Sequence, residues 1–327
     1  MLTSSRLQMW LPRRQGRLVD VLLLAVALVW GSSYLSAKVL TVAAGVLTVL
    51  ALRYLISAVA MAVVSVLSHR RRPGRREVAV GVLLGFTQAS VLVLETYGVS
   101  LTSATNAGLL ISLTILLTPV LECAASRRWL PRGFFVAAAV AMTGVALLVT
   151  GNGMRAPSTG DALMLGAALI RALHVTASGQ LTRGRSYDTI TLTLLQTVVG
   201  AVVCTVAAGP ALTRATVNLS AEQWLGLAYL GLGCTVFAFL VQLWAVRRTS
   251  AARASLLLGT EPVWAVIVGL SLGGDTLSIV GATGAVLVVA GTTWGQRVES
   301  RFRNGPRADR SAQRTAARPA ARLAARR

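Results

Sequence analysis

The sequence predicts an all-α integral membrane protein of ten transmembrane helices, built as two inverted five-helix repeats. Three observations carry that prediction. Hydrophobic residues make up 54% of the 327-residue chain and charged ones only 13%, far from the composition of a soluble domain. Ten apolar stretches follow one another, at 18–37, 45–67, 78–99, 101–124, 133–150, 160–181, 189–208, 222–244, 251–271 and 277–295, each about the length an α-helix needs to cross hydrocarbon. Laying residue n over n+147 aligns Ser103-Ala104 with Ser250-Ala251, Ala107 with Ala254, Leu109-Leu110 with Leu256-Leu257, Leu130 with Leu277 and Gly144 with Gly291. With an odd number of spans per copy, the second copy inserts upside down, and in such a plan a solute site lies near the midplane between the repeats.

The first segment starts at Leu18 behind Arg6, Arg13, Arg14 and Arg17; many spans follow and no small-x-small cleavage site closes it, so it reads as an uncleaved signal anchor. Segment two carries Arg53 and ends at the basic loop Arg70, Arg71, Arg72, Arg75 and Arg76. Segments three and four meet at Ser100 with almost no loop, as a tight hairpin, and four ends at Arg127, Arg128 and Arg132, with Glu122 one turn away and expected to pair with Arg127 or Arg128. Segment five closes the first repeat, residues 18–150, and an extracellular linker, 151–159, leads to the second repeat, 160–296. Segment six holds Arg171 and His174 on one face; eight ends at Arg247 and Arg248; nine begins with Arg253. Halfway along segment nine stand Glu261 and Pro262. The proline removes a helix hydrogen bond and frees the carbonyl of Leu258, and such polar backbone is tolerated only against protein or a water-filled cavity. Outside the repeats lie a basic cytosolic N-terminus, 1–17, and an Ala/Arg-rich tail, 297–327, with Pro306 and Pro319, expected to be disordered and to lie on anionic lipid headgroups.

The formal charge of +21 sits between and after the apolar segments, which removes the nucleic-acid reading it would otherwise invite. Of 32 Lys and Arg residues, 27 fall in alternate loops and the termini, while the opposite loops hold only Arg155 and Arg214. Both termini are therefore expected on the cytosolic side of the inner (cytoplasmic) membrane. Trp129, Trp224, Trp244 and Trp294 fall at segment ends, as interfacial belts require. Cys123, Cys204 and Cys234 lie in apolar segments without metal-site spacing and read as buried thiols, so neither metal nor other cofactor is expected. There is no P-loop, H-E-x-x-H pair, G-x-S-x-G elbow or paired acidic motif, and the chain does not read as an enzyme.

Val29-Trp30-Gly31-Ser32-Ser33-Tyr34, with Lys38 behind it, resembles the opening W-G-S helix of EamA-type drug/metabolite transporters. Ala51-Leu52-Arg53-Tyr54-Leu55 is similar to their L-R-F-L segment, and Thr96-Tyr97-Gly98 through Ser103-Ala104-Thr105-Asn106-Ala107 to their Y-G-x-x-x-T-x-A-x-N-A stretch. Gly160-Asp161-Ala162-Leu163 and Ala252-Arg253-Ala254-Ser255-Leu256-Leu257 through Glu261-Pro262-Val263 match the second repeat. Three departures stand out: Arg128 replaces a usual acidic residue whose counterpart Asp275 is kept, Arg171 replaces a tryptophan of the sixth helix, and Glu95 replaces a glutamine near the end of the third. The resemblance implies a secondary active transporter, an exporter of a small metabolite, amino acid or drug-like solute.

A carboxyl at the depth of Glu261 suits proton binding and release as access alternates, or, in the plainer reading, fixes packing at the Pro262 break. Arg171 lies too deep to snorkel and should face a carboxylate or an anionic substrate; a structural salt bridge to Glu95 or Glu261 is the alternative. His174 is a second substrate contact or a satisfied core residue. Lys38, Arg53 and Glu95, toward the outer ends of their spans, form an expected gate of opposite charges. Trp30, Tyr34, Gln88, Asn106, Gln196 and Trp264 are mid-span groups able to stack on or hydrogen-bond a solute. The cavity is expected between segments one, three, four, six, eight and nine, with Glu261 and Arg171 facing it. Partners are thus a small-molecule substrate and membrane lipid, with a homodimer left open. The competing function is a membrane scaffold acting through its basic tail.

Overall fold

The structure is a computed structural model that describes residues 4–68, 72–102, 110–150, 158–213, 219–272 and 278–303. Every regular element among these residues is helical: α1 (Ser4–Ala44), α2 (Val46–Leu67), α3 (Arg75–Leu101), α4 (Thr114–Ser126), α5 (Arg132–Thr150), α6 (Thr159–Thr182), α7 (Thr189–Ala208), α8 (Ala221–Arg248), α9 (Ala251–Leu258), α10 (Glu261–Leu272) and α11 (Ile279–Arg303). Starts are set by side-chain caps. Ser158 and Asp161 form a reciprocal capping box on α6, Ser220 and Gln223 one on α8, and Asp188 and Ser250 accept from the backbone N–H of Thr191 and Arg253 at the heads of α7 and α9. Asp161 also takes a 2.5 Å bond from the Thr102 hydroxyl. Gly160 lets the end of α3 approach until a Cβ there would lie 2.7 Å from the carbonyl carbon of Leu101. The Gly160-Asp161 pair therefore caps one helix and docks another against it.

Seven helices among the described residues are long and apolar enough to cross a membrane, and Leu110–Ser126 and Arg132–Leu147 are shorter apolar helices. Segments four and nine are not the continuous spans expected from the sequence. The ninth breaks between α9 and α10 at Gly259-Thr260, and α4 follows a turn at Leu113. The α3–α4 connection, 103–109, lies outside the described residues, and with it the hairpin expected at Ser100.

The two breaks are the same break. Leu113 N donates to Leu110 O (3.2 Å), and Leu116 and Leu117 N donate to Leu113 O (3.0 and 2.9 Å); residues 147 further on, Thr260 N donates to Leu257 O (3.1 Å), and Val263 and Trp264 N to Thr260 O (3.0 and 3.4 Å). At the position matching Pro262 the first copy has Ile115, so the break belongs to the repeat, and the proline only fits the first turn of the helix after it.

The closing helices of the two halves, α5 and α11, pack on each other. A Cβ on Gly144 would meet Val288 N at 2.6 Å and Gly284 O at 2.7 Å; one on Gly291 would meet Ala141 N at 2.6 Å and Ala137 O at 2.7 Å. These four contacts exchange under a shift of 147, the self-complementary pattern of a two-fold contact. As α5 runs from Ala137 to Gly144, its partner runs backward from Gly291 to Gly284, so the pair is antiparallel, as inverted repeats require. Glycines also admit α7 against α3, at Gly81 over Leu195 and Gly85 over Val199.

α1 begins at Ser4. α11 continues to Arg303 with Glu299 buried, so the first seven residues of the tail expected to be disordered are helical. The rest of that tail, 304–327, lies outside the described residues.

Candidate functional site

Arg171 leaves the middle of α6 and is held between both halves of the chain. Its Nη2 donates to Glu95 Oε2 on α3 at 2.9 Å and its Nη1 to Glu261 Oε2 at the head of α10 at 3.3 Å. Its guanidinium carbon lies 4.9 Å from the centre of the Trp30 ring of α1. Glu261 is buried and the other two side chains nearly so, with exposures of 11% for Arg171, 12% for Glu95 and 4% for Glu261. The structural alternative raised for Arg171 thus describes its contacts, with both carboxylates at once. Glu95 and Arg171 thus form one ion pair between α3 and α6.

Beside this triad is a small cavity lined by Ser112, Thr114, Thr118, Arg171, Gln242, Ser255 and Glu261, with Ile111, Val175, Leu258 and Gly259 as its apolar wall. It offers about 10 Å³ to the centre of a water molecule, room for roughly one water. The lining comes from segments four, six, eight and nine, and segments one and three contribute Trp30 and Glu95 behind Arg171. Ser255 donates to Thr114 O at 2.6 Å, and Gly259 sits so close to Ile115 that a Cβ would fall 2.3 Å from its Cγ1. The broken segments of the two repeats therefore touch directly.

Trp30 is positioned by an irregular stretch of α8. Residues Tyr229–Phe237 are wound as a π-helix, which withdraws carbonyls from the regular ladder. Cys234 O accepts from Trp30 Nε1 at 2.9 Å and from Arg53 Nη2 at 3.2 Å, while Arg53 Nε donates to Thr235 Oγ1 at 2.6 Å and Ser57 Oγ to Gly231 O at 2.9 Å. Arg53 is buried on these partners, and the carboxylate of its expected gate, Glu95, is bonded to Arg171 instead.

The remaining sequence candidates are placed as follows. His174 is buried and its Nδ1 is 2.8 Å from Thr87 Oγ1 of α3, turned from the cavity lining. Gln88 is buried on α3 and Gln196 on α7, the latter donating to its own helix at Leu192 O (3.3 Å). Trp264 is half-buried on α10. The side chains of Tyr34 and Lys38, and Asn106 altogether, lie outside the described residues.

A second polar cluster lies at the end of the bundle that carries the basic loops. Arg253 at the head of α9 holds Asp20 of α1 at 2.6 Å and Glu299 of α11 at 3.4 Å, and Ser250 Oγ donates to Glu299 Oε1 at 2.8 Å. Glu122 of α4 accepts from Ala252 N at 2.7 Å and is 4.0 Å from Arg183. The expected pairing of Glu122 with Arg127 or Arg128 is therefore replaced. α4 ends at Ser126 with Arg127 in the left-handed region (φ 52°), which turns the chain away, and the first turn of α9 supplies an N–H in need of an acceptor. Asp20 had no signal in its own segment beyond being an acid in an apolar run. From Arg253 along α9 and across the break to Glu261 is roughly 12 Å at about 1.5 Å per residue.

A helical bundle whose two halves repeat in opposite direction around a buried ionisable pocket defines a multi-pass membrane protein of the transporter class. The chain belongs to the EamA-like transporter family, whose family model matches residues 17–150 and 158–294, one match to each repeat. A solved crystal structure described only as that of a protein superposes with a TM-score of 0.71 over 85% of this chain and 98% of its own, at 17% sequence identity, a likeness of fold. No curated protein matches by sequence.

Proposed function

We propose that the chain is a secondary active exporter that carries a small metabolite, amino acid or drug-like solute across the cytoplasmic membrane by alternating access. Both termini face the cytosol, and Glu261 carries the coupling proton. The observation that supports this best is the bridging of the two repeats by one arginine: Glu95 belongs to the first repeat, Glu261 to the second, and the cavity beside Arg171 is lined by residues of both repeats. A carboxyl that lines a cavity, heads a broken helix and holds a movable cation can change partner as the repeats rock. The test is efflux from proteoliposomes at several internal pH values. Glu261→Gln keeps the shape and a hydrogen-bonding amide but removes the ionisable group, so pH dependence should vanish while residual downhill flux remains. Unchanged pH dependence in the variant would sink Glu261 as the proton site.

On this reading Arg253 is the inner latch, because it joins α1, α9 and α11 at the basic end. Arg253→Gln should open that end more often. Cys123, 1% exposed beside Glu122, reports the opening directly: its maleimide labelling should rise about tenfold, the result of weakening the closed state by roughly 1.4 kcal/mol. Labelling at the wild-type rate would count against a latch.

A further inference from the structure

We infer that the solute's route from the central cavity to the basic end of the bundle is a shut seam between α4, α6, α8 and α9, and that Glu122 and Arg183 are its gate. The inference rests on the transporter reading and adds to it a path and two gating residues.

The cavity is lined by Arg171 and Val175 of α6, Thr118 of α4, Gln242 of α8 and Ser255 of α9. α6 packs on α4, α8 and α9, and α9 packs on α4 and α8. Steps of three, four or seven residues keep to one helix face, so the faces that line the cavity continue toward the basic end as Ser178 and Thr182 of α6 and Glu122 of α4. From Arg171 to Arg183 the path is roughly 18 Å long at about 1.5 Å per residue. It is shut: Ser178 is buried, and so is Thr182, the last residue of α6.

The seam is more polar than packing requires. The Thr118 and Ser178 hydroxyls have no hydrogen-bond partner among the described residues, and neither has the carboxamide of Gln242, which is buried in the cavity wall. Each such group is a cost while the helices stay together, and water entering an opened seam satisfies all three. Buried hydroxyls without a partner also occur at Tyr54, Thr176, Thr205 and Thr292, but none of these is on a helix face that lines the cavity. The closure consists of bonds that water can replace. Glu122 Oε2 accepts from Ala252 N at 2.7 Å and ties α4 to α9, while Arg183 Nη2 donates to Val246 O at 3.0 Å and Thr249 O at 2.6 Å and ties α6 to α8. The two side chains are 4.0 Å apart, and Arg183 is 40% exposed. Each sits on the helix end that suits its charge, the anion at the head of α9 and the cation at the tail of α8. Charged contacts at a wet rim are worth little net energy, so they open and re-form readily, unlike the backbone contacts of α5 on α11.

The experiment is thiol accessibility in the full chain. Ser178→Cys and a control on the outward surface of α6, Leu173→Cys at an exposed apolar position, meet a membrane-impermeant methanethiosulfonate on the cytosolic side of inverted vesicles. Peptide mass spectrometry reads which thiol is modified. Ser178→Cys should react and Leu173→Cys should not, because a thiol in apolar surroundings stays protonated and inert. Adding Glu122→Gln with Arg183→Gln should speed the Ser178→Cys reaction about tenfold, the effect of losing a charge-assisted bond from the closed state. Thr118→Cys, on the facing helix, carries the same test should Ser178→Cys not fold. Thiols no more reactive than Leu173→Cys would overturn the route, and a rate unmoved by the paired substitution would overturn the gate. Uptake of a cytosolic metabolite extract into the same vesicles, against vesicles lacking the chain, separates the two levels. Uptake that survives full modification of Ser178→Cys would overturn the route and leave the transporter standing, whereas a reactive seam with no metabolite taken up would overturn the transporter reading.

Discussion

Arg171→Ala is expected to destabilise the detergent-solubilised chain by about 3–5 kcal/mol, the usual loss when one partner of a buried ion pair is removed. The reason is what stays behind. Glu95 and Glu261 are 12% and 4% exposed and both bond the Arg171 guanidinium, so without it two carboxylates in a low-dielectric site lose that charge-assisted bond. Arg171→Lys should recover part of the loss, because an ammonium supplies the charge but not the fork that spans two carboxylates. The decisive comparison is a cycle: Glu95→Gln combined with Arg171→Gln should cost less than the sum of the single changes, with a coupling of roughly 0.5–3 kcal/mol. Temperature-dependent loss of monodisperse protein measures all of these variants. Additive losses would mean that the 2.9 Å contact carries no energy of its own.

That triad shows how far a sequence can be read. Arg171, Glu95 and Glu261 each stand out as a charge in an apolar run, and burial cost alone says that such groups must meet partners. Which carboxylate Arg171 meets depends on how helices from different repeats rotate against each other, a property of packing and not of spacing. Both carboxylates are within reach because α3 and α10 converge on the same level of α6. Arg53 was harder. Its position suggested a gate, but its partners are carbonyl and hydroxyl groups exposed by the π-wound stretch of α8, and nothing in the apolar run Tyr229–Phe237 announces a change of helical pitch. Glu122 failed for a related reason: charges five and six residues on do not share its helix face, as ones three or four on would, and α4 stops at Ser126 in any case.

The repeat fared better, since its alignment rested on positions that now prove structural. The shift of 147 pairs Gly144 with Gly291 from the sequence alone, and the two occupy reciprocal places in the α5–α11 crossing. Pro262, by contrast, drew attention to a true break for a partial reason. The matching turn at Leu113 forms without a proline, so the cause lies in how the broken segments pack, through Ser255 on Thr114 and Gly259 on Ile115.

The α5–α11 crossing makes the sharpest demand on single residues. Gly144→Ala would place a methyl carbon 2.6 Å from Val288 N and 2.7 Å from Gly284 O, and Gly291→Ala the same distances from Ala141 N and Ala137 O. All four obstacles are backbone atoms, so no rotamer change relieves them and the helices must part. Overpacking of this kind costs about 1–3 kcal/mol per site, and the loss of close backbone approach removes the packing that drives association in lipid. Gly133→Ala on the same helix is the control: its nearest neighbour would be Val298 Cγ2 at 3.8 Å, ordinary contact, so the better helix propensity of alanine should leave stability unchanged or raised by up to about 1 kcal/mol. The two harmful changes should hurt by similar amounts, because each copy supplies the obstacle for the other. Made together, they should cost less than their sum, since helices already separated by one methyl partly accommodate the second. Thermal denaturation of the four variants decides the matter: if one glycine tolerates alanine and the other does not, the halves are matched in sequence and contact but not in the energy that holds them together.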